Sequence, residues 1–361
     1  MSTRPEPSCP DCVIVPSRLT ETALPRRTFL RGVAATAVSG MPVRLLQGAA
    51  TTRPAGPTPG STAETGVKAL YDLLSDEQRK LICFPWEHEK PGRGLLRTHV
   101  SNNWHVSSPK VRSDFFSKRQ QSIIYDVFQS LFQPEWAKKI TRQLKDDTYG
   151  EPWGADQSIA LFGKPGEGKF EFVMTGRHLT IRADGNSESR VAFGGPIFHG
   201  HAADGFNEKP GHPGNIFWPQ ALAANRVYAM LDGRQRDAAL VDGPLPPEAA
   251  VAFREVARAP GIPVADLTAD QKVELEKVLA ALLEPYRDED RAEAMECLKK
   301  QGGLDACRLA FYKDSDLGND QEWDNWRLEG PALVWYFRGY PHVHIWINVA
   351  DDPSVALNAR G

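Results

Sequence analysis

Two stretches of this chain, 121–185 and 271–339, run through the same order of local signals about 150 residues apart. That spacing is far longer than a solenoid period, so it points to two related half-domains. Gln121 opens a helical stretch ending at Leu131-Phe132-Gln133-Pro134, and Gln271 opens one ending at Leu282-Leu283-Glu284-Pro285. Each proline lacks the N–H that would continue a helix, so it ends one helix or opens the next. A second helix is expected in each copy, over 136–145 and 288–300. A strand follows (159–162 or 308–311), then a polar turn, then a strand–Gly–strand unit (170–181 or 326–335). Helix-helix-hairpin units recur widely, so chance likeness is the competing explanation. The pattern predicts an α+β fold: mostly antiparallel sheet, in one or two sheets, with helix pairs on one face. It would form one domain over 66–361, with halves at about 114–194 and 267–349, as an internal duplication would produce.

What precedes that domain reads as an address. Arg26-Arg27-Thr28-Phe29-Leu30-Arg31 and the small, mildly apolar run 32–38 form a twin-arginine export signature. Its expected partner is the twin-arginine export machinery, which carries folded proteins, and the expected location is periplasmic or extracellular. Residues 1–50 are assigned to the signal and 51–65, rich in Pro, Gly, Thr and Ser, to a disordered linker. Ser75-Asp76-Glu77-Gln78 then reads as a capping box opening a helix. No later segment is long and apolar enough to span a bilayer. A net charge of -3 gives no reason to expect nucleic acid as a partner. Cys9 and Cys12 precede the signal; Cys297 and Cys307 flank Gly302-Gly303 and would either bridge or stay as two buried thiols.

The strand at 342–349 carries the sharpest chemistry. Val343, Ile345, Ile347 and Val349 alternate with His342, His344, Trp346 and Asn348, so the two histidines share the face opposite the aliphatic one. His178 stands opposite Leu179 and Ile181 in the same way. In one sheet, these three imidazoles would gather on the non-helical face, a ligand set suited to Zn, Cu or Fe with room for water. The same spacing also occurs in ordinary strands whose histidines bond to backbone or solvent. His199-Gly200-His201 is a second HxH, read as a loop because of Gly200. His88 and His99 read as surface residues.

Asn103-Trp104-His105, Gly176-Arg177-His178-Leu179, and Gly330-Pro331 through His342-Val343-His344 and Trp346 resemble the domain-of-unknown-function family numbered 3500. Leu74-Ser75-Asp76-Glu77-Gln78 and Leu267-Thr268-Ala269-Asp270-Gln271 match it in style. The resemblance covers most of 74–349. Its members are often exported and carry no assigned activity. Many have Gly-His-His-Leu where this chain has Arg177, so His178 is matched and the preceding position is not. The resemblance implies that His105, His178, His342 and His344 stand where the family places histidines.

Other chemistries find little footing. Gly163 to Lys169 lacks the Ser/Thr and the following helix of a phosphate loop, and reads as a hairpin loop. There is no GxSxG elbow and no HExxH. Glu171 and Glu329 read as solvated strand residues. The leading expectation is an exported, His-ligated metalloprotein acting as a metal-dependent hydrolase or oxidase. One transition metal would sit on His178, His342 and His344, with His105 as fourth ligand or supporting partner and His201 next. The loop from His199 to Trp218 would cover the site. Arg177 and Arg182, with Arg338, would hold an anionic substrate group, or pair with Glu171, Glu329 or Asp184. The alternative is a metal-free saccharide- or envelope-binding scaffold using Trp335 and Trp346. A third reading is a purely structural polar cluster.

Overall fold

The computed structural model describes residues 56–201, 211–318, 320, 322–355 and 357. The expected export signal and residues 51–55 lie outside these. The linker expected to reach residue 65 gives way earlier. Helix α1 (Thr62–Leu73) already buries Ala63, Glu64, Val67 and Leu70. Arg287 grips Glu64 through two guanidinium bonds of 2.8 and 2.7 Å, which ties this first turn to the far half of the chain.

Helix α2 (Asp76–Ile82) starts on the capping box formed by Ser75 and Gln78, as the sequence predicts. Strands β1 (Cys83–Phe84), β2 (Glu89–Lys90) and β3 (Gly94–Leu95) follow. Then come α3 (Lys118–Ser130) and α4 (Pro134–Asp147), the latter with Pro134 in its first turn. Strands β4 (Ser158–Gly163), β5 (Phe170–Gly176), β6 (Leu179–Ala183) and β7 (Ile197–His201) complete the first half. The second half runs α5 (Trp218–Met230), α6 (Gly233–Ala239), β8 (Leu240–Val241), β9 (Ile262–Pro263), α7 (Ala269–Leu283) and α8 (Asp288–Lys300). It ends with β10 (Arg308–Tyr312), β11 (Asn325–Gly330), β12 (Leu333–Arg338) and β13 (Val343–Val349).

One mixed sheet runs through both halves in the order β1-β4-β5-β6-β7-β13-β12-β11-β10-β8, with β9 beside β10. Only its outer pairs, β1 with β4 and β8 with β10, are parallel among the described strands. The halves meet where β7 runs antiparallel to β13, with Ile197 opposite Ile347. The fold is α+β, as expected.

Strand parity sorts the two faces. Leu179, Ile181, Val343, Ile345, Ile347 and Val349 share one core with the buried residues of α1, α3, α4, α5, α7 and α8. Phe198, Val334, Tyr336 and Trp346 line the other face under Val100, Ala249 and Val251. The second face is therefore roofed by irregular chain, and polar side chains on it are buried rather than washed.

Several hydrogen bonds recur in both halves. Gln120 caps α3 and donates to the Leu73 carbonyl, while Gln78 donates to it and to the Phe115 carbonyl. Gln271 caps α7 and donates to the Met230 carbonyl, while Gln235 donates to it and to the Asp266 carbonyl. Between the halves, Gln133 donates its N–H to Pro285 and Arg287 donates its N–H to Leu131, around a Phe132–Tyr286 bridge.

Candidate metal centre

His344 lies on β13 and is fully buried. Its register partners are Arg338 on β12 and Gly200 on β7. His178 occupies the two-residue turn between β5 and β6, with its N–H donated to the Asn102 carbonyl. It has φ +57°, a left-handed backbone that L-residues seldom adopt and that often marks a functional position. Because β7 runs between β6 and β13, the His178 and His344 rings must lean over it to meet. Gly200 makes this possible. A Cβ there would lie 3.0 Å from His344 Cδ2 and 3.2 Å from His178 Cδ2.

The rings do meet. His178 Nε2 and His344 Nε2 are 3.2 Å apart. His342, just before β13, closes the group, its ring centroid 5.1 Å from that of His178 and 4.5 Å from that of His344. One ligand atom from each of the three lies within 4.8 Å of the others, and all three residues are buried.

The opposite ring nitrogens decide the tautomers. His178 Nδ1 lies 3.0 Å from Asp147 Oδ2, and His344 Nδ1 lies 3.1 Å from Glu248 Oε2. An ionised carboxylate only accepts, so each Nδ1 donates, which leaves the Nε2 of each ring as the atom that can carry the lone pair. Two lone pairs facing each other at this range repel unless a cation sits between them. Two nitrogens sharing a tetrahedral metal at about 2.0–2.1 Å would lie about 3.3 Å apart. Carboxylates behind ligand histidines are the usual way a metal site fixes ring orientation. Burial, reinforced by the neighbouring imidazoles, pushes the pKa of His342 and of His344 below the ordinary histidine value, keeping both rings neutral.

Each carboxylate is itself held. Asp147, the last residue of α4, accepts a 3.2 Å bond from Gln143, whose amide also donates to the Gly200 carbonyl. Glu248 accepts a 2.7 Å bond from Asn102 and pairs with Arg338 at 3.4 Å. The sequence reading missed both. Glu248 lies in a Pro-rich connector with no local signal. Asp147 had one: an acidic residue at a helix C-terminus opposes the macrodipole, a cost that calls for a reason.

The other expected site residues fall elsewhere. His105 Nε2 bonds Asp156 at 3.1 Å, is one-third exposed, and stands outside the three-histidine group. His199-Gly200-His201 is a strand, not a loop, because the neighbouring β6 and β13 supply partners for its backbone. Its histidines share the aliphatic side, since His199 pairs with Ile345 and His201 with Val343. His201 bonds Asn215 at 3.1 Å, and burial pushes its pKa down to about 4. Of the loop expected to cover the site, 202–210 lies outside the described residues.

Arg182 is buried and engaged within the chain. Its guanidinium donates to Glu171, the Pro196 carbonyl and the His99 carbonyl, at 3.0, 2.8 and 2.6 Å. Glu171 and Glu329 are buried in ion pairs rather than solvated. His99, expected at the surface, is buried edge-on against Trp104. Trp335 points into the helix-side core, and Trp346, although on the histidine face, is fully buried against Phe198 and Tyr336. Neither offers a stacking platform. Arg177 is half-buried beside the centre. Cys297 and Cys307 are free, and burial pushes both thiols up to about 12.

A cavity of about 910 Å³ between α7 and α8, lined by Leu279, Leu283, Met295 and Leu298, contains none of these histidines. No described helix is long and apolar enough to cross a membrane.

A family described as Protein of unknown function (DUF3500) matches residues 58–345. The chain belongs to the DUF3500 family. The match takes in every element from α1 to the first strand residues of β13, and all three histidines of the DUF3500 chain's centre. No curated protein and no solved structure matches it.

Proposed function

We propose that this chain is an exported, His-ligated metalloprotein acting as a metal-dependent enzyme, a hydrolase or an oxidase. One transition metal, Zn, Cu or Fe, would be held by His178, His342 and His344. One observation carries the reading: two carboxylate-backed imidazoles aim their Nε2 atoms at each other across 3.2 Å, with a third imidazole alongside. Three imidazole ligands leave a metal with an open position. Such an ion supplies Lewis acidity and an activated water, or a place to bind oxygen if it is redox-active. The protein's part is to fix the three rings and to bury them.

Export through the twin-arginine machinery to the periplasm or beyond is supported by Arg26, Arg27, Phe29 and Leu30. That route suits a protein that acquires its ion while folding. The saccharide-binding alternative loses its aromatic platform, because Trp335 and Trp346 are buried. A structural reading has one observation in its favour: 3.2 Å also fits an N–H···N bond in which an extra proton takes the place of the metal.

Metal analysis of folded, processed protein separates these readings. The metalloprotein reading expects about one transition-metal ion per chain, lost in His178→Ala and in His344→Ala. Negligible metal in the wild type, with both variants still folded, would leave only the proton-bridged cluster.

A further inference from the structure

Among the described residues, two guanidinium groups, those of Arg338 and Arg177, stand near the three histidines. Arg338 lies beside His344 in the sheet register and pairs with Glu248 at 3.4 Å. Arg177 directly precedes His178 in the turn, and its backbone is bridged to Asn103. Its guanidinium has no carboxylate partner among the described residues. Its Nε is buried without a hydrogen-bond partner. Asp156 accepts the Arg177 backbone N–H at 2.6 Å and is otherwise engaged by His105 and Lys110. The Arg177 guanidinium lies 5.8 Å from the ring of Tyr149, which is 71% exposed and held at φ +56° two residues beyond Asp147.

Among the described residues, a divalent ion and two guanidinium groups would thus face the Asp147 and Glu248 carboxylates. The surplus is positive, in a setting where burial strengthens every charge interaction. A guanidinium without a carboxylate partner, close enough for its charge to be felt at His344, is a fork for a planar or tetrahedral oxyanion. We infer that the substrate of this centre carries an oxyanionic group and that Arg177 binds it while the metal engages the reacting end. This rests on the metal-centre reading above. It makes Arg177 the determinant of substrate charge.

The test uses the full folded chain loaded with cobalt(II), whose visible bands report ligands entering the open position. Wild type, Arg177→Gln and Arg177→Lys are titrated with acetate and, separately, with inorganic phosphate, after cobalt content is measured in each. Equal cobalt in all three, with the better-bound anion weakened about ten-fold or more in Arg177→Gln and partly restored in Arg177→Lys, supports the inference. Acetate against phosphate then tells which oxyanion class the fork prefers. Equal cobalt and unchanged affinity for both anions in Arg177→Gln overturns the inference and leaves the metal centre standing. A wild type that takes up no cobalt overturns both.

Discussion

At the scale of single residues, the chemistry rests on which way each ring nitrogen faces. Asp147 and Glu248 each hold an Nδ1 and so turn an Nε2 inward. Asp147→Asn removes the acceptor charge and permits the wrong amide orientation, while its shape is kept. The expected result is a drop in metal affinity of about 10–100-fold for Asp147→Asn and for Glu248→Gln, with folding retained, measured by competition against a chelator. His199 tests burial instead. It is packed among Phe132, Phe217 and Tyr286, and burial pushes its pKa down to about 3. The unfolded chain protonates this ring below about 6.5 and the folded one does not. Stability is therefore lost as pH falls from about 6.5 toward 3, by up to about 1.4 kcal/mol per pH unit. Buried acids such as Asp184, pushed up to about 6, act in the opposite sense, so the readout is a difference. His199→Phe should flatten the acid limb of the unfolding free energy relative to wild type in denaturant titrations. The face shared by His342 and His344 was legible because a strand has period two. Their carboxylates were not, because each lies on a distant element and nothing local marks the pairing.

At the scale of elements, β7 is the informative case. A glycine between two histidines looks like a loop when read alone. It is a strand because β6 and β13 flank it on both sides, and the missing side chain is a notch for the two rings. Gly200→Ala introduces one methyl group against His178, His344 and the Val343 carbonyl. The expected outcome is a loss of about 1–3 kcal/mol of stability. Metal affinity should fall further than in a control such as Gly233→Ala, where nothing lies within 4 Å of the added atom. Calorimetry with and without metal separates the two effects. The capping boxes at Ser75, Ser117, Asp232 and Thr268 were partly legible, since a Ser, Thr or Asp three residues before Gln is a local pattern. The second use of those glutamines, bridging to a neighbouring helix, depends on packing and left no trace in sequence spacing.

At the scale of the whole molecule, one sheet crosses both halves and the centre forms at the end where β6, β7 and β13 come together. The order helix, helix, strand, hairpin was readable in each half from its prolines and its alternation. What could not be read was how the halves join. Pairing of β7 with β13 brings His344 of one half over Gly200 toward His178 of the other. The three histidines therefore come together only where β7 is paired with β13. The burial of Glu171, Arg182, Glu329 and Trp346 follows from the roof of chain at 96–106 and 246–253, which periodicity does not reveal. X-ray absorption at the metal edge of the loaded, folded protein addresses the central claim most directly. The account expects three imidazole nitrogens at about 2.0–2.1 Å and a further light ligand, with one nitrogen lost in His342→Ala. An oxygen-only shell, or a spectrum unchanged by that substitution, would contradict it.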